Sequence, residues 1–429
     1  MNGSYGGMKP SSVGVNVRLR GMRRRFAALA ATLGLVAASP GTARAADPAP
    51  ARPNLVLVTL DTTRADRIGA YGDAAARTPT LDALARRGTR FARCDTAAPV
   101  TLPAHATILT GLYPPRHGVR DNGIFTLAPD VETLTERLRS AGYDTAAVVS
   151  AIVLARRHGL DQGFRRYDDD LGAGYALGTE VAERSADATT AAARAALAGL
   201  EPPFFLWVHY YDPHEEYRPP TRFAATGAGA DRLYEGEIAF VDEQLGELFG
   251  SLPPATVVAV VGDHGEMLGE HGEASHGLLL YEAARRVPLI LAGPGVPSGA
   301  VDPCLARTAD VAPTLARLAG VELAAGLDGR PLLPLAGGGC ERVAYSESFL
   351  PFFAYKWYPL RTLSDGRALF LQAPRPSLYR LDLPGGEGRD LAAEEPGLMR
   401  LWAERLGRLL ATAGETLADA ARPSAVLSE

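Results

Sequence analysis

Lysine is almost absent from this chain of 429 residues. Apart from Lys9 and Lys356, every side chain that is cationic at neutral pH regardless of its surroundings is an arginine, so the sequence excludes a site built from several lysines after residue 9. The formal net charge of −5 gives no support for a nucleic-acid partner. Cysteine is also scarce, and Cys94, Cys304 and Cys340 match no zinc-binding spacing. The sequence is compatible with one disulfide and equally with three free thiols.

Long hydrophobic runs are lacking too. The run at residues 26–38 is shorter than the roughly 20 residues that a membrane span needs. Arginines precede it, and Ala43-Arg44-Ala45 follows as a cleavage pattern, which together indicate a signal peptide over residues 1–45. We therefore expect an exported protein, periplasmic or secreted, with a linker at 46–53 and no stable membrane span in the mature chain. An uncleaved anchor, or a start at Met8 or Met22, is the alternative.

Continuous apolar runs alternate with helical patterns over the next 290 residues, roughly. This alternation predicts an α/β domain over residues 54–340, with a central, mostly parallel sheet and helices on both faces. After residue 340 short strands and one amphipathic helix predict a small α+β subdomain over 341–411, followed by a flexible tail at 412–429. The predicted strands are 55–60, 146–149, 204–208 and 256–261, and the predicted helices are 78–88, 131–140, 182–200, 233–249 and 395–411.

Polar side chains follow directly after three of the predicted strands. Asp61 follows the first, the segment 209–214 follows the third, and Asp263 and His264 follow the fourth. Ligands bind at the carboxyl ends of strands in such sheets, so we expect these residues to converge. Two carboxylates and an imidazole suit one divalent ion, with zinc or manganese favoured because of the imidazole and calcium as the oxygen-preferring alternative.

Thr101 introduces an apolar segment with a proline two residues later, a pattern typical of a helix start. We expect Thr101 to lie where a helix begins, next to free backbone N–H groups that could hold an anion. The alternative is an ordinary capping threonine.

Several motifs, in order along residues 52–410, resemble the sulfatase family of the alkaline-phosphatase-like superfamily. The resemblance implies that superfamily's fold and an ester hydrolase. The segments that carry it are 61–72 (DTTRADRIGAYG), 107–118 (TILTGLYPPRHG), 212–214 (DPH), 262–266 (GDHGE), 281–289 (YEAARRVPL), 378–383 (LYRLDL) and 390–392 (DLA).

The departures from the sulfatase pattern concern the reacting groups. Thr101 stands where that family has a Cys or Ser that becomes formylglycine, and a threonine cannot give this aldehyde. His105 replaces an arginine, Thr62 an aspartate, His264 an asparagine, and Ser150 and His276 two lysines. The chain is therefore more similar to the threonine-nucleophile branches, which include nucleotide phosphodiesterases and phosphoethanolamine or lipoteichoic-acid transferases. That resemblance implies a metal held by Asp61, Thr101, Asp263 and His264.

The resemblance and the residues together suggest a mechanism. Thr101 attacks phosphorus or sulfur, and His214 or His276 protonates the leaving group. His105 contacts the substrate or supports the helix, and Arg64 and Asp212 are candidate substrate contacts. Asp212, His214 and His276 are also a candidate set for a second ion. The expected substrate is a small anionic ester of a sugar, lipid head group or nucleotide, with phosphoryl chemistry favoured. The alternatives are a sulfatase without formylglycine, a phosphoethanolamine-type transferase and a non-catalytic anion-binding protein.

Overall fold

A computed structural model of the chain describes residues 52–171, 183–224, 229–335 and 340–416. The predicted signal peptide lies outside these residues, as do most of the linker and of the tail. The strands are β1 (Asn54–Leu60), β2 (Thr89–Asp95), β3 (Asp144–Val148), β4 (Arg166–Asp168), β5 (Phe204–Tyr210), β6 (Thr256–Gly262), β7 (Arg286–Val287), β8 (Leu289–Ala292), β9 (Ala300–Arg307), β10 (Ala344–Ser348), β11 (Leu360–Ser364), β12 (Ala368–Gln372) and β13 (Ser377–Arg380). The helices are α1 (Pro79–Arg87), α2 (Thr101–Thr110), α3 (Pro114–His117), α4 (Leu134–Ser140), α5 (Ala186–Ala198), α6 (Ala230–Gly250), α7 (Glu282–Arg285), α8 (Val311–Leu318), α9 (Leu350–Tyr355) and α10 (Pro396–Ala411).

The large sheet is built around β1, which is buried along its whole length. β1 pairs in parallel with β5 on one side and with β6 on the other, and the parallel order continues through β3 to β4. Leu60 is in register with both Tyr210 and Gly262, so these three strands end at one level. Residues that follow their carboxyl ends are thereby brought together, as the sequence predicts.

Helices cover both faces of this sheet, because side chains of a strand alternate between its two faces. Leu55 and Leu57 join one hydrophobic core, which includes residues of α2, α4 and α8. Val56 and Val58 join a second core with residues of α1, α5 and α6. The predicted α/β architecture with a mostly parallel sheet is confirmed.

The far edge of the sheet was not predicted from the sequence. There β8 pairs antiparallel with β6 and β2, β7 pairs antiparallel with β2, and β9 runs parallel to β2. β2 reads Thr-Arg-Phe-Ala-Arg-Cys-Asp, and β9 contains Asp302 and Pro303, so neither has the apolar run of a doubly buried strand. The sheet is therefore mixed at this edge.

β10 to β13 form a separate antiparallel sheet, against which α10 packs through Trp402, Leu406 and Leu410. A disulfide between Cys304 and Cys340 joins β9 to the segment that leads into this sheet, and Cys94 is a buried free thiol. The subdomain boundary at residue 340 stays a prediction. None of the described helices is both long enough and apolar enough to cross a bilayer.

A buried ion pair links the loop after α3 to the small sheet. The Arg120 guanidinium donates to both carboxylate oxygens of Glu347 on β10, at 2.7 Å each, and also to Glu415 at 2.6 Å. Both Arg120 and Glu347 are almost fully buried. The loop after α3 is thus fixed to the small sheet by a bidentate, charge-assisted contact.

Candidate active site

Asp61 and Asp263 meet at the carboxyl ends of β1 and β6. The Asp61 N–H donates to the Tyr210 carbonyl at 3.0 Å, and the Asp263 N–H donates to the Leu60 carbonyl at 3.1 Å, so both backbones extend the sheet ladder. Asp61, Asp263 and His264 are completely buried. Each of these three residues offers a ligand atom within 4.8 Å of the others. The predicted convergence of remote segments is therefore present in the structure.

The carboxylates leave oxygens without partners. Asp263 Oδ1 accepts the backbone N–H groups of Thr62 (3.2 Å) and His264 (2.6 Å), which fixes the carboxylate plane. Asp263 Oδ2 and both oxygens of Asp61 accept no hydrogen bond from the described residues. Buried oxygens without partners are costly in a folded protein, and a bound cation would satisfy them.

His264 is oriented to present a lone pair to the carboxylates. Its Nδ1–H donates to the Gly265 carbonyl at 3.0 Å, so the neutral ring carries no proton on Nε2. Nε2 lies 3.4 Å from Asp61 Oδ1 and 3.6 Å from Asp263 Oδ2. A basic nitrogen facing two carboxylate oxygens is the arrangement that a divalent ion stabilises. The donor set therefore fits a metal.

The electrostatics of the group agree with this geometry. Burial and the charge of Asp61 raise the pKa of Asp263 well above its usual value. Burial would raise the pKa of Asp61 as well, but the neighbouring His209 and His264 outweigh this effect and lower it. Burial, together with His276, lowers the pKa of His264 to about 3. The two carboxyl groups therefore resist being ionised at the same time, and the imidazole beside them is neutral. A bound cation would stabilise the state in which both carboxyl groups are ionised.

Thr101 Oγ1 lies 3.5 Å from Nε2 of His264, next to the carboxylate group. Thr101 is the first residue of α2 and Val100 is the cap, so Thr101 lies where a helix begins, as the sequence predicts. Thr101 is 3% exposed. Its hydroxyl therefore lies at a buried helix start beside the His264 nitrogen.

The first turn of α2 offers fewer free donors than the sequence suggests. The Leu102 N–H donates to Asn122 Oδ1 at 2.8 Å, Pro103 has no N–H, and the Ala104 N–H donates to the Val100 carbonyl. The first turn of α2 therefore does not offer the expected series of free backbone N–H groups, because the Asn122 side chain accepts the N–H of Leu102. An anion at this helix end would rely mainly on other groups.

His105 is buried with both ring nitrogens engaged. Nδ1 donates to the Thr101 carbonyl at 2.7 Å, and Nε2 accepts from Thr59 Oγ1 at 2.9 Å. Thr59 in turn accepts the indole N–H of Trp207 at 3.0 Å. Although His105, His209 and Asp263 lie close enough to form a second candidate metal group, His105 has no nitrogen to spare for it. The geometry makes His105 a support for the first turn of α2.

His209 on β5 lies in the segment 209–214 that the sequence predicts to converge on the site, but we assigned it no role from the sequence. The Ser150 N–H donates to its Nδ1 at 3.3 Å, so the neutral ring has its proton on Nε2, which lies 3.3 Å from Asp61 Oδ2. This contact does not have normal hydrogen-bond geometry, but it places the imidazole against Asp61, where it can orient a carboxylate that would hold a metal. Its position near the end of the buried strand β5 was the available signal, since polar residues are rare in such strands.

His276 and His214 lie together on the open side of the cluster. Nδ1 of His276 pairs with Glu266 Oε1 at 3.1 Å, and its ring centroid lies 4.6 Å from that of His264 and 5.2 Å from that of His214. Burial opposes protonation of His276, but the hydrogen bond and charge of Glu266 outweigh it and raise the pKa of His276. Nδ1 of His214 donates to the Glu215 carbonyl at 2.7 Å. Both rings therefore keep Nε2 for other partners.

Arg64 and Asp212 face protein partners. The Arg64 guanidinium donates to Asp66, to Glu270 at 2.7 Å and to the Glu266 carbonyl at 3.1 Å. The Asp212 carboxylate accepts the Ala186 N–H at 2.7 Å, and the candidate metal groups of the described residues do not include it. The structure thus brings His214 and His276 together but does not gather Asp212 with them, and the roles of Arg64 and Asp212 stay predictions.

A buried carboxylate–imidazole group at the carboxyl ends of a parallel sheet, with a hydroxyl beside it, agrees with the ester hydrolases of the alkaline-phosphatase-like class that the sequence motifs resemble. Comparison with known proteins agrees. The family model described as "Sulfatase" matches residues 53–321, more than half of the chain. The protein belongs to the sulfatase family.

Relatives and solved structures extend over most of the chain. The uncharacterized sulfatase YidJ of Escherichia coli (strain K12) is 24% identical and covers 66% of this chain and 71% of its own length. Steryl-sulfatase of Mus musculus is 29% identical, with coverages of 74% and 70%. The structure of the phosphonate monoester hydrolase of Agrobacterium radiobacter has a TM-score of 0.70 at 24% identity, covering 84% of this chain and 96% of that one. The structure of BT4656 in complex with D-glucosamine-2-N,6-O-disulfate has a TM-score of 0.73 at 19% identity, with coverages of 86% and 100%.

Proposed function

We propose that this protein is a metal-dependent hydrolase of small anionic esters in which Thr101 is the nucleophile. The observation that carries the proposal is the position of Thr101 Oγ1, 3.5 Å from a His264 nitrogen that itself faces two buried carboxylates. An ordinary helix-start threonine has no reason to lie against such a group.

Asp61, Asp263 and His264 would hold one divalent ion, with Thr101 Oγ1 beside them. Zinc or manganese suits this set better than calcium, since one ligand is an imidazole nitrogen. Such an ion, when bound, lowers the pKa of an adjacent hydroxyl and offsets negative charge on an ester group. His209 contributes indirectly by holding Asp61.

In the first half-reaction, the ionised Thr101 oxygen, having lost its proton to solvent, forms a bond to phosphorus or sulfur. The bond to the leaving alkoxide breaks, and that alkoxide takes a proton from Nε2 of His276. The contact between Nδ1 and Glu266 supports this role, because it leaves the Nε2–H of the protonated ring free to donate. His214, whose ring lies 5.2 Å from that of His276, is the alternative donor.

In the second half-reaction, water attacks the threonyl ester and Nε2 of His276 accepts a proton from it. The Thr101 oxygen leaves and regains its proton from solvent, so the enzyme returns to its starting state. An acceptor alcohol in place of water would make the protein a transferase.

Phosphate esters are the favoured substrates, because a threonine cannot become the formylglycine that the sulfatase chemistry uses. Sulfate esters are the second candidate, which the sulfatase names of the curated relatives favour. Side-by-side assays of a phosphodiester, a phosphomonoester and a sulfate ester with one aryl leaving group separate the two. Turnover of the sulfate ester alone would refute the phosphoryl preference.

Thr101→Val tests the nucleophile, since valine keeps the branched shape and removes the hydroxyl. We expect turnover to fall by at least about 10³-fold, because the covalent route is lost. Brief reaction followed by acid quench and peptide mass analysis is expected to find the transferred group on Thr101 in the parent chain. Unchanged turnover in the variant would show that Thr101 is not the nucleophile. Full activity after exhaustive chelation would show that the reaction does not depend on a metal.

We also propose that the protein is exported after cleavage behind Ala45. The charged start, the apolar run and the small-residue pattern of residues 1–45 support this proposal. N-terminal sequencing of protein from cell fractions tests it, and a cytoplasmic protein that still begins at Met1 would contradict it.

A further inference from the structure

One polar side chain interrupts the apolar row of β1 that belongs to the same core as α2. Leu55 and Leu57 are members of that core, and Thr59 is the next residue of the row. Thr59 is completely buried, so its hydroxyl group must find its partners within the protein. A valine would fill the same space without this requirement. The hydroxyl therefore serves its hydrogen-bond partners rather than the packing of the core.

The Thr59 hydroxyl is the middle of a hydrogen-bond chain whose direction is fixed. The Thr101 carbonyl can only accept, so Nδ1 of His105 donates to it, at 2.7 Å, and the uncharged ring keeps a lone pair on Nε2. The Thr59 hydroxyl therefore donates to Nε2, at 2.9 Å, and its oxygen accepts the indole N–H of Trp207 at 3.0 Å. Each bond settles the proton position of the next, so the chain has one arrangement from Thr101 to Trp207.

This chain ends on the peptide group that joins Thr101 to Leu102. A peptide group is planar, so partners at both of its ends fix the orientation of the plane. Its carbonyl accepts the Nδ1–H of His105, and its N–H donates to Asn122 Oδ1 at 2.8 Å. Val100, the cap residue of α2, makes no side-chain capping bond. The orientation of the residue that carries Oγ1 is therefore set by His105 and Asn122 rather than by the helix cap.

The strand β1 thereby holds two parts of the candidate site in register. Thr59 lies only two residues before Asp61, and the backbone of Asp61 continues the sheet ladder. A movement of α2 over the sheet would change the distance between Thr101 Oγ1 and the His264 nitrogen, which is 3.5 Å. The bonds from Thr59 through His105 oppose such a movement. One strand thus locates both a carboxylate of the site and the peptide group of Thr101.

We infer that Thr59 is a positioning residue for the Thr101 nucleophile. It acts through His105, because its hydroxyl holds the imidazole and the imidazole holds the Thr101 carbonyl. This inference rests on the proposed function, since it concerns the alignment of the group that attacks the ester. A displacement of about 1 Å at a reacting atom can lower a rate by about 100-fold. Loss of the Thr59 hydroxyl should therefore slow the attack without weakening the binding of the ester.

Variants of the full-length chain test the inference. Thr59→Val and Thr59→Ala remove the hydroxyl, with and without the branched shape, and Thr59→Ser keeps it. Thr314→Val is the matched control, because Thr314 is 1% exposed and its hydroxyl also donates one bond, to the Asp310 carbonyl at 2.6 Å, and accepts one, from the Leu332 N–H at 3.0 Å. Thr101→Val, alone and combined with Thr59→Val, completes a double-mutant cycle.

The measurement is the rate of the first turnover in the presence of manganese, read as release of the aryl alcohol after rapid mixing. The substrate is an aryl phosphodiester or, where the parent does not turn it over, the sulfate ester with the same leaving group. The rate at saturating ester and the ester concentration at half-maximal rate are determined for each protein. Urea unfolding of the same proteins gives the loss of stability.

We expect Thr59→Val and Thr59→Ala to lower the rate at saturating ester by about 10- to 100-fold and to leave the half-saturating concentration within about threefold of the parent's. Thr59→Ser and Thr314→Val should stay within about threefold of the parent in both quantities, although Thr314→Val also loses stability. In the Thr101→Val chain, adding Thr59→Val should change the residual rate by less than about twofold, because no nucleophile remains to be aligned.

The contrary outcomes separate this inference from the proposed function. Rates of both Thr59→Val and Thr59→Ala that match the parent's would show that the hydroxyl serves the fold alone, and would overturn the inference while Thr101 stays the nucleophile. A loss in Thr314→Val as large as that in Thr59→Val, or an undiminished effect of Thr59→Val in the Thr101→Val chain, would overturn it in the same way. An unchanged rate in Thr101→Val would refute the nucleophile, and the inference with it.

Discussion

Asp263→Asn is expected to make the metal-free protein more stable while abolishing its stabilisation by metal. The asparagine oxygen can keep the two backbone N–H groups that Asp263 Oδ1 accepts. Its amide then takes the place of Oδ2, which has no partner among the described residues, and can donate to an unpaired oxygen of Asp61. A charge repulsion is thus replaced by a hydrogen bond.

The magnitude follows from the separation of the two acids. Ligand atoms of Asp61 and Asp263 lie within 4.8 Å of each other, and two unit charges at that distance repel by about 3.5 kcal/mol at an effective dielectric constant of about 20. The raised pKa of Asp263 lets the metal-free protein relieve part of this repulsion by binding a proton. We therefore expect a gain of about 1–3 kcal/mol in the free energy of unfolding at neutral pH.

Urea unfolding with and without chelator measures both effects. At a metal concentration of 100 times Kd, the parent should gain about 2.7 kcal/mol, and Asp263→Asn should gain almost nothing. Asp242→Asn is the matched control, because Asp242 is also buried and accepts two backbone N–H groups but uses both oxygens. That variant should lose stability in either condition. A metal-free Asp263→Asn protein less stable than the parent would refute the reasoning.

Three further outcomes follow. Burial, reinforced by Asp212, raises the pKa of Glu237 to about 8, so its ionisation opposes folding. The free energy of unfolding should therefore fall by at most about 1.4 kcal/mol per pH unit between about pH 4.5 and pH 8. In urea unfolding measured across this pH range, Glu237→Gln should lose less stability per pH unit than the parent, because it has no carboxyl group to ionise at this position. Arg120→Ala should cost about 3–5 kcal/mol in urea unfolding, since it strands the buried Glu347 carboxylate, and a loss below 1 kcal/mol would contradict this. Replacing Cys304 by Ser should cost about 4 kcal/mol, because the disulfide closes a loop with a sequence separation of 36, and equal thermal midpoints with and without it would show otherwise.

The parallel half of the sheet could be predicted because its strands are buried on both faces. Runs such as residues 55–60 and 256–261 are apolar at every position but one, a threonine in each, and every position is buried, which is typical of a strand covered on both faces. β2 and β9 could not be predicted, since their arginine, aspartate and proline residues are accommodated by pairing partners that lie far away in the sequence. Tertiary pairing outweighed local propensity there.

The part of the candidate site that follows directly from the order of the strands could be predicted from the sequence. Asp61, Asp263 and His264 lie together because they follow adjacent parallel strands, which is a consequence of topology. The hydrogen-bond assignments could not be foreseen. Asn122, which lies in a loop 20 residues further along the sequence, accepts the Leu102 N–H. The two ring nitrogens of His105 pair with Thr101 and with Thr59, so neither nitrogen is free to contact a substrate. Contacts of this kind depend on distances that a sequence pattern does not contain.

The scarcity of lysine gives the segment after α9 an experimental handle. Apart from Lys9, which belongs to the predicted signal peptide, Lys356 carries the only side-chain amine in the sequence; the residue is exposed, and its Nζ donates to the Phe353 carbonyl at 3.1 Å. An amine-reactive dye applied above neutral pH to a chain that begins at residue 46 would therefore attach at one internal position. Its emission would report changes around this segment without any engineered cysteine, and the labelled position could be read by mass spectrometry.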